Sequence, residues 1–212
     1  METPTALSES MVEIGRRMYD KNLIAGTGGN ISCRLPDGSF LITPSGKAKG
    51  RLSPEDMVVI DEGGSVILGK GRPSSEFRLH TYIYSARNNI NAIVHAHPIF
   101  CTAYAAAGKP LAASILPEIV LTVGDIPLAE YGTPSTLELP GSVEKLIENH
   151  DAILLKNHGV VVAGKDLEDA FNKLEIVEHF AEILYAAEAI GGAKPLSNEQ
   201  IDRLMKVKEI MK

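Results

Sequence analysis

The spacing of apolar residues changes between two periods along the chain, and each period predicts one kind of secondary structure. Near the start, apolar residues recur at three- and four-residue intervals, which predicts an amphipathic helix over about residues 5–21. These residues are Leu7, Met11, Ile14 and Met18. The same spacing predicts a long helix that Asp166 caps and that stops near Gly191, and a last helix that begins after Ser197.

Shorter apolar runs separated by turn residues predict β-strands. Ile31–Leu35 and Ser39–Thr43 flank a Pro-Asp-Gly turn, and Met57–Ile60 and Ser65–Leu68 flank an Asp-Glu-Gly-Gly turn. Connections this short force antiparallel pairing. We therefore predict an α/β fold, a three-layer α/β/α arrangement with a central, mainly antiparallel sheet, in a single domain over residues 1–212.

A further helix is predicted to begin at Pro73, because proline suits the first helical turn. Ser74 and Ser75 then act either as helix caps or as ligands of a bound anion. Glu76 stands in the same first turn, where the helix dipole favours a carboxylate. One turn later, on the same face, His80 either orients this glutamate or packs in the core.

The later part of the chain contains elements of both kinds. Residues 98–107 and Thr136–Asn149 are predicted to be helical, and Ile115–Ala129 is predicted to be extended. Two apolar runs, Ala152–Leu155 and Val160–Ala163, predict a hairpin. Its turn contains an Asn-His-Gly sequence, so the hairpin presents a histidine at its tip.

One apolar stretch contains two histidines that are separated by a single residue. On a strand, residues i and i+2 face the same side, so His95 and His97 are predicted to project together. The alternative is a pair of hydrogen-bonded core histidines. With His158 from the hairpin and Glu76, the pair forms a donor set typical of a zinc site whose carboxylate also does chemistry.

Two small-residue turns are candidate anion-binding sites. The loop Ala25–Asn30 contains three glycines, which expose backbone N–H groups, and a second turn contains Ser45 and Gly46. The loop is not a dinucleotide fingerprint, because the third glycine is missing and a strand follows. For the glycine-rich loop, ordinary turn chemistry is the alternative and is favoured on this loop alone. A phosphate held by N–H groups and hydroxyls would need no lysine.

Composition excludes several classes of function. The 212 residues are 44% hydrophobic and carry a net charge of −6 without a Lys/Arg run, which excludes a nucleic-acid groove or a membrane-surface patch. The two cysteines, Cys33 and Cys101, do not suggest a disulfide framework. The sequence has no apolar leader segment and no long apolar run, so we expect a cytoplasmic protein.

Taken together, five motifs resemble the class II aldolase/adducin family, in particular its L-fuculose-1-phosphate aldolase branch. In chain order they are Gly-Thr-Gly-Gly-Asn, Thr-Pro-Ser-Gly, Pro-Ser-Ser-Glu-x-x-x-His, His-x-His-Pro and Asn-His-Gly. The resemblance implies an α/β/α fold and a homotetramer with active sites at subunit interfaces. It also implies one zinc ion per subunit and cleavage of a ketose 1-phosphate to dihydroxyacetone phosphate and a small aldehyde such as lactaldehyde.

The resemblance also assigns roles to residues of this chain. Its implied zinc ligands are His95, His97, His158 and, in the resting state, Glu76, which is also the implied catalytic acid and base. Its implied phosphate-binding residues are Thr27, Gly29, Asn30, Ser45, Gly46, Ser74 and Ser75. A well-known member of the branch has an aromatic residue that protonates the aldehyde oxygen. At the corresponding place this chain reads Ser114–Ile119 without a nearby tyrosine, which leaves Glu118 as the candidate for this second acid.

Three other functions within the family remain alternatives. A 4-epimerase branch places aspartate where Glu76 stands, which disfavours it. A sugar-phosphate dehydratase branch keeps the histidines and a glutamate. Adducin-like members serve in protein interaction and lack the metal ligands, whereas the three histidines are present here.

Overall fold

The computed structural model describes residues 4–210, which form an eight-stranded sheet with helices on both faces. The strands are β1 (Asn30–Arg34), β2 (Phe40–Ile42), β3 (Val58–Ile60), β4 (Val66–Leu68), β5 (Ala92–Ala96), β6 (Leu128–Ala129), β7 (Ala152–Leu155) and β8 (Gly159–Gly164). The helices are α1 (Pro4–Asp20), α2 (Phe77–Ala86), α3 (Ile99–Ala107), α4 (Pro117–Leu121), α5 (Glu138–Val143), α6 (Leu167–Ala189) and α7 (Asn198–Ile210). Short 3₁₀ turns lie at Lys49–Arg51, Pro54–Asp56 and Ala113–Ile115.

The strands follow the order β4-β3-β2-β1-β5-β8-β7-β6 across the sheet. Within the described residues, neighbouring strands are antiparallel except β6 and β7, which are parallel. The two predicted N-terminal hairpins are β1–β2 and β3–β4, and the third is β7–β8. The prediction of a mainly antiparallel sheet is therefore confirmed.

Alternate residues of each central strand enter two separate cores, one on each face of the sheet. On β5, Ala92, Val94 and Ala96 pack on the side that carries α1, α3, α4 and α6. Ile93 packs on the other side, with α2 and α5. His95 follows the same alternation and therefore belongs to the α2 side. These layers confirm the predicted three-layer α/β/α fold.

The helix predicted from Pro73 begins four residues later, at Phe77. Pro73 pairs with Pro44 in an isolated β-bridge, and the Ser74 N–H donates a hydrogen bond to the Thr43 carbonyl. These contacts hold the backbone extended along the end of β2. Glu76 is the residue that precedes the helix and makes no side-chain capping bond, whereas the Ser74 hydroxyl accepts a hydrogen bond from the Glu76 N–H at 3.3 Å.

Two other boundaries differ from the prediction. The segment Ile115–Ala129 is not extended throughout, because Pro117 starts the helix α4 and only two residues of it pair as β6. The helix predicted over Thr136–Asn149 is limited to α5, after which the chain continues in turns. Gly141 inside α5 is a poor helix former, which is consistent with this early end.

The predictions for the remaining helices are confirmed. The N-terminal helix is α1, and the Asp166 side chain accepts a hydrogen bond from the Asp169 N–H at the start of α6. The helix predicted after Ser197 is α7, and Ser197 and Gln200 form a capping box at its start. None of the helices within residues 4–210, the 23-residue α6 included, is long and apolar enough to cross a membrane.

The two-core arrangement predicts how stability depends on position. Leu154 on β7 is 0% exposed, whereas Leu137 beside α5 is 76% exposed. Leu154→Ala should lower the free energy of unfolding by about 2–5 kcal/mol, since it leaves a cavity, and Leu137→Ala by less than about 0.5 kcal/mol. Urea unfolding of the two variants measures the difference, and equal losses would contradict the assigned core.

Candidate metal centre and active site

His95 is fixed in the interior by the two strands that flank β5. Its position pairs with Asn30 on β1 and with Val161 on β8, and the residue is 0% exposed. The ring Nδ1 lies 2.9 Å from the Val160 carbonyl oxygen. Because a carbonyl only accepts, Nδ1 carries the hydrogen and Nε2 of the neutral ring is left with a free lone pair.

The ring of His97 lies between two glycines. A Cβ atom at Gly28 would lie 2.9 Å from the His97 Nδ1, and a Cβ atom at Gly159 would lie 2.7 Å from its Cδ2 and 2.4 Å from the Ala96 carbonyl oxygen. Neither glycine has a positive φ. Their role is therefore to leave space for the imidazole, a role that turn chemistry alone did not predict.

His158 is presented by the tight turn that joins β7 and β8. The His158 N–H donates to the Leu155 carbonyl at 2.9 Å, which closes the turn. Asn157 occupies the left-handed region with φ 58°, a conformation that asparagine tolerates better than most residues, and its N–H donates to Ala105. The turn thereby directs the His158 ring towards the end of β5.

The ligand atoms of these residues converge. The Nε2 atoms of His95 and His97 are 2.9 Å apart, and the ligand atoms of the three histidines all lie within 4.8 Å of one another. Glu76 joins them with Oε2 at 3.2 Å from the His95 Nε2 and Oε1 at 3.3 Å from the His158 Nε2. The three histidines and the glutamate from the sequence analysis thus share one place.

This arrangement fits a bound cation. Burial lowers the pKa of His95 well below its usual range, and it also lowers the pKa values of His97 and His158, so the imidazoles favour their neutral, metal-binding form. The lone pair of the His95 Nε2 then faces a carboxylate oxygen of Glu76, which repels it. A divalent ion held by these residues would relieve this repulsion.

A directed chain of buried hydrogen bonds holds Glu76. The Asn30 Nδ2–H donates to the Glu76 Oε2 at 2.8 Å, so the Asn30 Oδ1 accepts from the His80 Nε2–H. The neutral His80 Nδ1 must then accept from the Ser32 hydroxyl at 2.6 Å. The Ser32 oxygen in turn accepts from the Tyr84 hydroxyl at 2.9 Å.

His80 therefore orients the glutamate through Asn30, and it also packs in the core, where it is 1% exposed. Burial lowers the pKa of His80 to about 4, so the ring is neutral at physiological pH and the direction of the chain is fixed. Both alternatives from the sequence analysis thus apply to this residue.

The three predicted anion-binding turns adjoin one another. The Ser74 N–H donates to the Thr43 carbonyl, and the Ser45 N–H donates to the Arg72 carbonyl, which places the second turn beside the third. The Lys49 ammonium donates to the Thr27 carbonyl at 2.8 Å, which links the glycine-rich loop to them. Sequence analysis had raised the three turns separately, and the sheet brings them together.

The candidate phosphate residues differ in exposure. Exposed members are Thr27, Ser45, Gly46 and Ser75, whereas Gly29, Asn30 and Ser74 are buried. Gly29 has φ 70°, and a Cβ atom there would lie 2.8 Å from the His95 carbonyl oxygen, so close packing requires this glycine.

Glu118, the candidate second acid, lies exposed in the first turn of α4, away from the described contacts of the histidine cluster.

The match to known proteins covers most of the chain. The family described as Class II Aldolase and Adducin N-terminal domain matches residues 9–185. This chain belongs to that family. It is a lyase of the class II aldolase type, in the branch that is similar to L-fuculose 1-phosphate aldolases, which confirms the predicted family and the prediction of an enzyme.

Three similar proteins illustrate the range of the family. An L-fuculose phosphate aldolase of Methanococcus maripaludis is 41% identical over 82% of this chain and 93% of its own length. A solved L-fuculose 1-phosphate aldolase superposes with a TM-score of 0.90 at 33% identity, over 99% of this chain and 98% of that one. A 3-oxo-tetronate 4-phosphate decarboxylase of Haemophilus influenzae is 35% identical over 88% of this chain and 90% of its own length.

The hydrogen-bond chain predicts the effect of an isosteric change at Asn30. Asn30→Asp removes the donor to Glu76 and places a second carboxylate beside it, which repels the Glu76 carboxylate and disturbs its position. We expect the fold to be retained and the rate of C–C bond cleavage to fall by about 10²-fold or more. Initial rates and circular dichroism measure the two effects.

The matched control is Asn91→Asp, since Asn91 is exposed and donates to the Lys165 carbonyl at the far end of β5. This control should cleave substrate at the wild-type rate. Wild-type turnover by Asn30→Asp would show that the orientation of Glu76 by Asn30 is unimportant.

Proposed function

We propose that this enzyme is a zinc-dependent aldolase that reversibly cleaves a ketose 1-phosphate, L-fuculose 1-phosphate or a related deoxy-ketose 1-phosphate. The products are dihydroxyacetone phosphate and a small aldehyde such as lactaldehyde. The observation that carries the proposal is the convergence of three imidazole nitrogens with the Glu76 carboxylate, at separations of 2.9–3.3 Å for the closest pairs. The Methanococcus relative, named for L-fuculose phosphate, supports the choice of substrate.

His95, His97 and His158 are the proposed zinc ligands, with Glu76 touching the ion in the resting state. Three neutral imidazoles from rigid elements are a donor set that zinc favours. Zinc bound there would supply a Lewis acid that polarises the substrate ketone. The burial of His95 excludes water from the inner side of the centre.

Glu76 is the proposed acid and base. In the cleavage direction the C4 hydroxyl gives up its proton to a second acid–base group, for which Glu118 is the candidate, or to water, and its O–H electron pair forms the aldehyde C=O. The C3–C4 bond breaks, the aldehyde leaves with the C4 carbon, and the C3–C4 electron pair stays at C3. The Glu76 carboxyl then delivers a proton to C3, and it removes the same proton in the direction of synthesis. Asn30 donates to the Glu76 Oε2, and both carboxylate oxygens face the histidine cluster, Oε2 towards His95 and Oε1 towards His158.

The adjoining turns are the proposed phosphate site. Backbone N–H groups and hydroxyls of small residues suit the oxygens of a phosphate. These residues are Thr27, Gly29, Asn30, Ser45, Gly46, Ser74 and Ser75. A phosphate bound there would lie next to Glu76, which directly follows Ser75 in the chain, and the ketol carbons would extend towards the histidines.

The proposal includes a cytoplasmic homotetramer of single-domain subunits, with active sites at subunit interfaces. Support comes from the edge strand β4, on which Val66, Ile67 and Leu68 are 46–63% exposed, because an uncovered apolar edge favours association. Glu118, the candidate second acid, lies away from the histidine cluster of its own subunit. In a tetramer, a neighbouring copy would supply the second acid instead. Light scattering on the purified protein measures the subunit number, and a monomer that is fully active would contradict this part.

Decarboxylation is the second candidate, because the Haemophilus relative is a decarboxylase that acts on a phosphorylated 3-oxo acid. Both reactions break a C–C bond near a ketone and then protonate the carbon that remains. Product analysis separates them, since only the decarboxylase releases carbon dioxide from a 3-oxo acid phosphate, and only the aldolase releases dihydroxyacetone phosphate.

Glu76→Gln tests the proposed base. Glutamine keeps the shape of glutamate but cannot shuttle a proton, so cleavage should slow by about 10²–10⁴-fold while the fold and the metal content are retained. A direct readout is exchange of the C3 proton of dihydroxyacetone phosphate with deuterated solvent, which needs no aldehyde. The wild type should exchange it and the variant should not.

The matched control is Glu182→Gln, at a side chain of α6 that is 56% exposed. It should exchange the C3 proton at the wild-type rate. Exchange by Glu76→Gln at that same rate would exclude Glu76 as the base.

A further inference from the structure

Lys49 is a buried cation that the sequence analysis did not predict. It lies in the 3₁₀ turn Lys49–Arg51 and is 2% exposed. Its ammonium donates to the Thr27 carbonyl at 2.8 Å and to the Lys47 carbonyl at 2.9 Å. An ammonium has three N–H donors, so one donor remains beyond these two bonds.

No carboxylate within residues 4–210 forms a direct ion pair with Lys49. Within residues 4–210, the hydrogen-bond partners of Lys49 are carbonyl groups. Burial lowers the pKa of Lys49, and the negative charge of Glu76, which is not in direct contact, opposes this lowering only in part. Lys173 provides the contrast. Burial lowers the pKa of Lys173 too, but its bonds to Asp169 and Asp151 outweigh this effect and raise the pKa overall.

A buried ammonium without an anion is unfavourable, so its retention calls for a charged partner. Lys49 joins two of the turns that make up the proposed phosphate site, namely the glycine-rich loop through Thr27 and the segment after Gly46 through Lys47. The positive charge of Lys49 also lowers the pKa of His97, and Glu76 in turn raises the pKa of Lys49. Lys49 is therefore close enough to the histidine centre to interact with it electrostatically. The position therefore suits a dianion that bridges the two turns.

We propose that Lys49 is a substrate-binding residue whose third N–H and positive charge hold the phosphate of the substrate between the glycine-rich loop and the Ser45-Gly46 turn. The identity of the anion as a ketose phosphate rests on the proposed function, whereas the anion site itself does not. Lys49 thus supplies the cation that a site of N–H groups and hydroxyls lacks. The affinity of the enzyme for the phosphorylated end of the substrate should therefore depend on the positive charge of Lys49.

Binding of inorganic phosphate to the purified enzyme, measured by isothermal titration calorimetry, tests this inference without turnover. Lys49→Gln keeps donors for the two carbonyls but loses the charge, and Lys49→Met is a second neutral variant that keeps the packing. Each neutral variant should bind phosphate about 10- to 100-fold more weakly than the wild type, the range for a charge-assisted hydrogen bond. Lys49→Arg should restore most of the affinity.

The matched control is Arg51→Gln, which removes one positive charge from an exposed position of the same 3₁₀ turn. It should bind phosphate as the wild type does. In steady-state kinetics, the neutral Lys49 variants should raise KM for the ketose 1-phosphate more than they lower kcat, with unchanged metal content.

Two results would overturn the inference: wild-type phosphate affinity in Lys49→Gln or Lys49→Met, or no binding of phosphate to the wild type at millimolar concentration. A third result separates this inference from the proposed function. If phosphate binds in a manner that depends on Lys49 but no ketose 1-phosphate is cleaved, the anion site stands and the proposed reaction is wrong.

Discussion

Two hydrogen-bond acceptors, the Glu76 Oε2 and the His95 Nε2, lie 3.2 Å apart in the interior, and the rest of the centre is organised around this contact. The Val160 carbonyl takes the Nδ1 hydrogen of His95, so the other nitrogen has only its lone pair to offer. Asn30, the register partner of His95 on β1, donates a hydrogen bond to the same carboxylate oxygen. A cation turns this repulsive contact into a favourable one, which is why the centre fits a metal ion.

The sheet positions two regions of opposite chemistry next to each other. The end of β5 and the β7–β8 turn carry the neutral imidazoles, and the loops before β1 and after β2 carry small residues around the Lys49 ammonium. A ketose phosphate has the matching distribution, with a ketol at one end and a dianion at the other. Glu76 lies between the two regions, which is the position that the proposed base requires.

Local patterns predicted the parts of the site that depend on one strand or one turn. The period of a strand predicted that His95 and His97 project together, and their Nε2 atoms lie 2.9 Å apart although β5 itself ends at Ala96. Contacts between distant segments were not predictable in this way. The extended backbone at Ser74 depends on a bond to Thr43, and the burial of Lys49 depends on the packing of its turn against α1, where a Cβ atom at Gly15 would lie 2.5 Å from the Lys49 carbonyl oxygen. Nothing in a lysine's own sequence neighbourhood reports such burial.

The metal content of purified variants tests the central claim most directly. We predict that the wild type binds about one zinc ion per chain and that His158→Ala loses it, because three imidazoles share the ion. His179→Ala, at a histidine of α6 that is 74% exposed, should retain the wild-type content. Elemental analysis after dialysis against a weak chelator decides the question. A His158→Ala protein that keeps the full complement of zinc would contradict the account.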